Sequence, residues 1–298
     1  MSQHQESISR REFIRDGALC LAGASAGPLL AAEPARKPAF HIGLLTDLHY
    51  ADKPALRTRF YRETSAKLQE AVRRFSAEKP AFVVELGDFI DKAETVEQEI
   101  VWLKEVELVF AAVKAPRHYV LGNHCVTTLT KAEFAAHTGA SCAPHYSFNH
   151  GGFHFIVLDS CFRADGEPYQ RENFEWTDAN IPASQLDWLR ADLAKAGKPA
   201  IVFAHQRLDE AGNHSVRNAA AARETLERAG NVVAVFQGHS HKNDYQQIAG
   251  IHYCTLAAMV ENSGQQNSAY ALLDVMEDGS MRLNGFRKQA SRGLERSK

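Results

Sequence analysis

The chain has 298 residues, with 34 Lys and Arg against 36 Asp and Glu, giving a formal net charge of −2. That near-balance excludes a polycationic nucleic-acid binder and an acidic solvating tail, and 45% hydrophobic with 23% charged residues excludes a disordered chain. Five cysteines are too few for a disulfide-stapled scaffold, while fourteen histidines stand out.

At the amino terminus, Ser9-Arg10-Arg11-Glu12-Phe13-Ile14 precedes a weakly apolar run, Gly17 to Ala24, and small residues near Ala31-Ala32. This is the pattern of a twin-arginine export signal. The apolar run falls well short of the roughly 20 residues that span a bilayer, so no transmembrane helix or stable membrane anchor is expected. Cleavage after Ala26 and after Ala32 both remain open. The expected division is an export signal at 1–32 and a single domain at 33–298, placed in the periplasm or secreted, with the twin-arginine machinery as a partner. Such export carries folded proteins.

From Phe40 onward, short apolar runs alternate with helical patterns. Phe40–Leu45, Ala81–Leu86, Arg117–Leu121, Phe153–Leu158, Ala200–Ala204 and Val232–Gln237 read as buried strands. Arg59–Lys79, Glu94–Val113, Ala183–Lys195 and Val216–Ala229 read as amphipathic helices, with Gly197 and Gly230 as stop signals. This alternation predicts an α/β fold. The last runs, Ile251–Ala257, Tyr270–Val275 and Met281–Phe286, are expected as an antiparallel addition to a sheet. Cys161 to Pro182 has no clear pattern, and a loop of that length is often functional.

Several predicted strands end in residues that bind metals. Phe40–Leu45 is followed by Asp47-Leu48-His49, Ala81–Leu86 by Gly87-Asp88-Phe89-Ile90-Asp91, Arg117–Leu121 by Gly122-Asn123-His124, Ala200–Ala204 by His205, and Val232–Gln237 by Gly238-His239-Ser240-His241. Sites in open parallel sheets form outside the carboxyl ends of the strands, so these loops are expected to converge. Asp47, His49, Asp88, Asn123, His205, His239 and His241 offer mixed nitrogen and oxygen donors without a thiolate, suited to manganese or iron, with zinc also possible. Seven ligands exceed the need of one tetrahedral ion. They suit two ions about 3.5–4 Å apart that share a carboxylate and activate a hydroxide. A lone Asp-x-His is usually surface decoration; five clusters, each at the end of an apolar run, are not coincidence.

In that order, these motifs resemble the calcineurin-like metallophosphoesterase superfamily over about Phe40 to Phe286. The resemblance implies a two-sheet sandwich flanked by helices, an αββα architecture. It also implies Asp47, His49 and His241 on one ion, Asn123, His205 and His239 on the other, and Asp88 between them. His124 would protonate the leaving oxygen or stabilise developing charge. Asp91 would join it in the catalytic set by orienting a neighbouring ligand. Departures narrow the branch. Asp91 stands where purple acid phosphatases place a tyrosine ligand. Asp91-Lys92-Ala93 and Leu121 lack the arginines of protein serine/threonine phosphatases. Cys125 replaces the usual acid after Gly-Asn-His, and a thiol is a weak partner for His124. His145-Tyr146-Ser147-Phe148, Gln185-Leu186-Asp187-Trp188-Leu189 and Gly250-Ile251-His252-Tyr253 look similar to the manganese-dependent ADP-ribose/CDP-alcohol diphosphatase-like branch. That implies hydrolysis of a diphosphate or phosphodiester bond in a nucleotide-like small molecule, and no nucleic-acid polymer as partner. The alternatives are a phosphomonoesterase with the same metals and a catalytically weak metal- or phosphate-binding protein.

Arg207, two residues after His205, is a candidate phosphate clamp against the bland reading of a surface salt bridge. Tyr50, Phe162, Tyr169, Phe174 and Trp176 are candidates to stack a base or line a pocket, although loop aromatics are at least as often packing. His41, His118, His145, His150, His154 and His252 read as ordinary packed or edge histidines.

Overall fold

Apolar runs of strand length build two six-stranded sheets in the computed structural model, which describes residues 37–141, 143 and 145–296. The twin-arginine pattern, Cys20 and Cys142 lie outside the described residues. In the first sheet, β1 (Phe40–Leu45), β2 (Phe82–Glu85) and β3 (Arg117–Tyr119) run parallel. The second sheet is centred on β5 (Phe153–Val157), β6 (Ala200–Phe203) and β7 (Val232–Gln237), also parallel, with β4 (Tyr146–His150) antiparallel at the β5 edge. Every residue of β2, β5 and β6 is buried, as continuous apolar strands covered on both faces must be.

The period of two along each strand sorts its side chains between two cores. Ile42 and Leu44 of β1, Phe82 and Val84 of β2, Phe155 and Val157 of β5, and Ile201 and Phe203 of β6 fill the layer between the sheets. There the Phe82 and Phe155 rings meet edge to face at 4.9 Å between centroids. The alternate residues, among them Leu45, Val83, Ala200 and Val202, face helices. Helix α1 (Thr64–Glu78) buries Leu68, Ala71, Val72 and Phe75. Next come α2 (Val96–Phe110), α3 (Lys131–His137), α4 (Ala183–Ala196) and α5 (Ala219–Ala229). Helices α1 and α2 pack together, as do α4 and α5, so the two-sheet sandwich carries helices outside. No helix among the described residues is long and apolar enough to cross a membrane.

The carboxy-terminal runs depart from one expectation. The strand β9 (Ile251–Thr255) does not join the antiparallel addition; it lies parallel to β7 in the second sheet, with Val235 opposite Tyr253. It is buried along its whole length, which suits an inner position. Its outer edge is covered by β8 (Asp244–Ile248) through a tight Ala249-Gly250 turn, both residues at positive φ. The antiparallel addition consists instead of β10 (Ala269–Val275), β11 (Met281–Arg287) and β12 (Arg292–Leu294) beside β1. Strands β4, β8 and β12 are sheet edges with polar, partly exposed residues, so no apolar run marks them. Helix α3 is short, but the capping box between Thr130 and Glu133 marks its start.

Candidate metal centre

The two sheets bring their parallel strand ends to the same place. Asp47 and His49 follow β1, Asp88 and Asp91 follow β2, and Asn123 and His124 follow β3. From the other sheet, His205 follows β6, and His239 and His241 follow β7. Backbone hydrogen bonds lock these ends together: Asp47 N–H donates to Gly87 O, His49 N–H to Asp88 O and Gly238 N–H to His205 O. Among the described residues, ligand atoms of Asp47, His49 and His241 lie within 4.8 Å of one another, and so do those of Asp88, His205 and His239.

The imidazoles are oriented from behind. Carboxylates and carbonyls only accept, so Nδ1 of His49 donates to Asp91 at 3.1 Å, Nδ1 of His205 to Leu86 O at 2.8 Å, and Nδ1 of His241 to Glu261 at 2.7 Å. Their Nε2 atoms then turn inward. Nε2 of His49 is 3.1 Å from Nε2 of His241 and 3.5 Å from Asp88 Oδ2. Nε2 of His205 is 3.1 Å from the same Asp88 oxygen and 3.2 Å from Nδ1 of His239. Asp47 Oδ1 lies 3.4 Å from His241 Nε2. Asp47 Oδ1, Asn123 Oδ1 and His239 Nε2 are buried with no hydrogen-bond partner. The inward-facing lone pairs of His49 and His241, with the orphaned oxygens of Asp47 and Asn123 beside them, are stable only around positive charge. The donor set therefore fits cations, and Asp88 touches both groups of histidines.

The electrostatics follow. Burial raises the Asp88 carboxyl, but His205, His124 and His49 outweigh it and hold it far below the ordinary carboxylate range. Burial likewise opposes, and His241 chiefly wins, in lowering Asp47. Burial lowers the His241 imidazole, yet Asp47 and Glu261 lift it to about 9.

The backbone is strained where it delivers these groups. Asp47, His49, Asp88, His239 and His241 have φ of 51°, 46°, 57°, 67° and 62°, a region that costs a non-glycine residue about 1–3 kcal/mol. Five of seven expected ligands share this conformation, which survives only because packing over-determines it. The preceding glycines are required by close approach. A Cβ on Gly87 would overlap the His205 ring, and one on Gly122 would overlap the backbone nitrogen and carboxylate of Asp88.

His124 sits beside the ligands, its ring 4.5 Å from that of His49. Its backbone N–H donates to Asp88 Oδ1 at 2.8 Å, and its Nδ1 is 3.4 Å from Asp91 Oδ1, an ion-pair contact more than an aligned hydrogen bond. Burial lowers its pKa, but Asp88 and Asp91 outweigh burial and raise it above the ordinary histidine value. Asp91 thus supplies, from another strand, the carboxylate that Cys125 does not. Cys125 itself is buried, and burial pushes its thiol well up, leaving a packing residue.

A cavity of about 620 Å³ opens over this cluster, lined by Asp88, Asn123, His124, His239 and His241, and further out by Arg59, Phe174, Trp176 and His214. Trp176 comes from the long 161–182 loop, and its ring centroid is 5.7 Å from His239 and 5.4 Å from His214. The structure does not bring Arg207, Tyr50 or Phe162 to this wall. Arg207 is buried in contacts with Asp209 at 2.7 Å, Asp244 at 2.6 Å and Glu210 at 3.1 Å, so its charge is already matched. The Tyr50 hydroxyl donates to Glu105 at 2.8 Å, and Lys131 covers the Phe162 ring at 3.5 Å. Tyr169 is buried, stacked on Phe174 at 3.7 Å. The packed-histidine reading fits His118, stacked on Phe148, and His154, which pairs with Asp192. Arg59, His214 and Glu261 escaped the sequence reading. No local motif marks them, because they reach the site through loops that are distant in sequence.

A family model described as calcineurin-like phosphoesterase matches residues 40–243. The manganese-dependent ADP-ribose/CDP-alcohol diphosphatase of Arabidopsis thaliana is 25% identical over 278 residues, covering 76% of this chain and 88% of that protein. The Mus musculus protein of the same description is 24% identical over 308 residues, covering 82% and 90%. Among solved structures, a dimetal phosphatase from Danio rerio aligns with a TM-score of 0.76 at 21% identity, covering 88% of this chain and 100% of that one.

Proposed function

Because the chain belongs to the calcineurin-like phosphoesterase family, and is thereby a metal-dependent hydrolase, we propose that it cleaves diphosphate or phosphodiester bonds in nucleotide-like molecules such as ADP-ribose or a CDP-alcohol. The observation that carries this reading is the single carboxylate of Asp88 between His49 from one sheet, at 3.5 Å, and His205 from the other, at 3.1 Å. Asp47, His49 and His241 would hold one ion and Asn123, His205 and His239 a second, with Asp88 shared. When bound, such a pair neutralises phosphoryl charge and lowers the pKa of water at the site. The chain's own residues do the rest. Asp91 holds His124 on one side and His49 on the other. Its own charge is balanced by Lys53 at 2.8 Å. Water adds to phosphorus and releases one proton to solvent as the P–O bond breaks; His124 donates its proton to the oxygen of the departing phosphate and is reprotonated from solvent, so a diphosphate yields two phosphate monoesters. Trp176 and His214 offer an aromatic wall on which a base can stack.

The relatives' printed activity supports the substrate class, and their alignment spans most of their length. The test is a comparison of manganese-reconstituted protein on ADP-ribose, CDP-choline, bis-p-nitrophenyl phosphate and p-nitrophenyl phosphate. Higher kcat/KM on the diphosphates supports the reading; a preference for the monoester overturns it in favour of a phosphomonoesterase, and metal binding without any turnover in favour of a binding protein. We also propose export by the twin-arginine route, on the Ser9 to Ile14 pattern. Replacing Arg10 and Arg11 by Lys should leave the protein inside the cell, as read by fractionation.

A further inference from the structure

We infer that Arg59 is a specificity-determining residue that grips the second phosphoryl group of a diphosphate substrate; this rests on the phosphohydrolase reading above and deepens it. Arg59 lines the same cavity as Asp88, Asn123, His124, His239 and His241, and it is the one Arg or Lys among the described lining residues. A phosphoryl group seated against the histidine cluster therefore has one permanent cation next to it. Its neighbour along a diphosphate has nowhere more favourable to turn. The exposed part of the wall carries Glu172, paired with Lys92 at 2.6 Å, and Glu175, whose charge repels an anion and favours an inward course for the second phosphate.

The guanidinium lies beside the Tyr61 hydroxyl, with which it makes a side-chain hydrogen bond, and is not locked into a short ion pair. Its nearest ion-pair contact is Nη1 to Asp91 Oδ2 at 3.8 Å, too long for a hydrogen bond. Asp91 is already served by Lys53 at 2.8 Å, the Lys92 N–H at 2.7 Å and His49 at 3.1 Å, so it does not need Arg59 for neutrality. The backbone holding Arg59 is tied down on both sides. Arg59 and Leu56 exchange two hydrogen bonds of 3.0 Å, Phe60 N–H donates to Val260 O at 3.0 Å, and Asn262 N–H donates to Thr58 O at 2.7 Å. A planar fork on a fixed stem is well matched to the oxygens of a phosphate. A substrate with one phosphoryl group leaves that fork unmatched, so the arginine discriminates between substrates instead of driving the bond cleavage.

The competing account is that Arg59 only braces its loop against Asp91. The experiment measures kcat/KM of wild type, Arg59→Ala and Arg59→Lys on ADP-ribose and on bis-p-nitrophenyl phosphate, with manganese content and thermal unfolding followed in each. Loss of one charge-assisted contact should lower the ADP-ribose to diester ratio roughly tenfold or more in Arg59→Ala. The effect should fall mainly on KM, and Arg59→Lys should recover part of the ratio. Parallel loss on both substrates, or an unchanged ratio, overturns the assignment even if the substrate reading stands. A wild-type protein that cleaves the diester but not ADP-ribose overturns the substrate reading itself, and the role of Arg59 with it.

Discussion

Glu261 accepts a 2.7 Å hydrogen bond from Nδ1 of His241, and it does so from a segment that carries no metal-ligand motif. The segment is held from below by Lys67, whose buried ammonium donates to Met259 O, Glu261 O and Asn262 O at 2.9, 2.9 and 2.7 Å. It is held from the side by Met259 and Val260 N–H groups donating to Thr46 O and Asp47 O. The carboxylate that orients one expected ligand is thus anchored to the strand end that supplies another.

Removing that carboxylate should loosen the site without emptying it. Glu261→Ala should weaken manganese binding by roughly 10–100-fold, the usual cost of losing a ligand's outer hydrogen bond. The effect is read from activity or calorimetric titration with metal. An affinity equal to wild type would mean that His241 does not bind metal through Nε2.

Asp88 is the residue shared between the two histidine groups. Asp88→Asn should reduce turnover to background and lower the metal content by elemental analysis. Chelation of wild type should lower its unfolding temperature, since a ligand that binds only the folded state stabilises it. The variant should show much less of that shift. Full activity in Asp88→Asn contradicts a bridging role.

Glu99, in the first turn of α2, is buried, and burial raises its carboxyl from 4.5 to about 7. The folded protein therefore holds this proton between pH 4.5 and 7 while the unfolded chain releases it. The contribution is most favourable below about pH 4.5, declines as pH rises, and is a full penalty above about pH 7. That penalty is of the order of 3 kcal/mol. Glu99→Gln can still accept from the Ala93 N–H and cannot ionise. Between pH 5 and 8 its stability relative to wild type should increase, as measured by denaturant unfolding at both pH values. Parallel pH dependence in the two proteins would rule this out.

Gly122 has no room for a methyl group because Asp88 occupies that space. Gly122→Ala should cost about 1–3 kcal/mol in stability from overpacking, and it should weaken metal binding by displacing Asp88. Wild-type unfolding and metal affinity in this variant would show that the loop shifts freely.

How legible the molecule was in its sequence varied with how local each cause is. Val232–Gln237 and Phe40–Leu45 are strands at the limits their mainly apolar runs predict, because a strand that packs against a core on each face is apolar over most of its length. Asp244–Ile248 and Arg292–Leu294 were invisible because edge strands need no apolar face. The expected ligands were legible because each follows a buried strand directly. His214, Glu261 and Arg59 were not, since their relevance arises from where a loop lands and not from their neighbours in the chain. Arg207 misled for the same reason: its nearness in sequence to His205 says nothing of Asp209 and Asp244, which take its charge.

The chain by itself determined which residue types stand at the ends of buried strands, and with them the donor chemistry, because hydrophobic period and turn glycines are local properties. Only the tertiary structure decided that the ends of two different sheets face each other, that Glu261 and Asp91 turn the imidazoles inward, and that Arg59 is the cation left on the cavity wall. Those outcomes depend on packing between elements up to some two hundred positions apart, as between His49 and His241, and no local pattern encodes a distance of that kind.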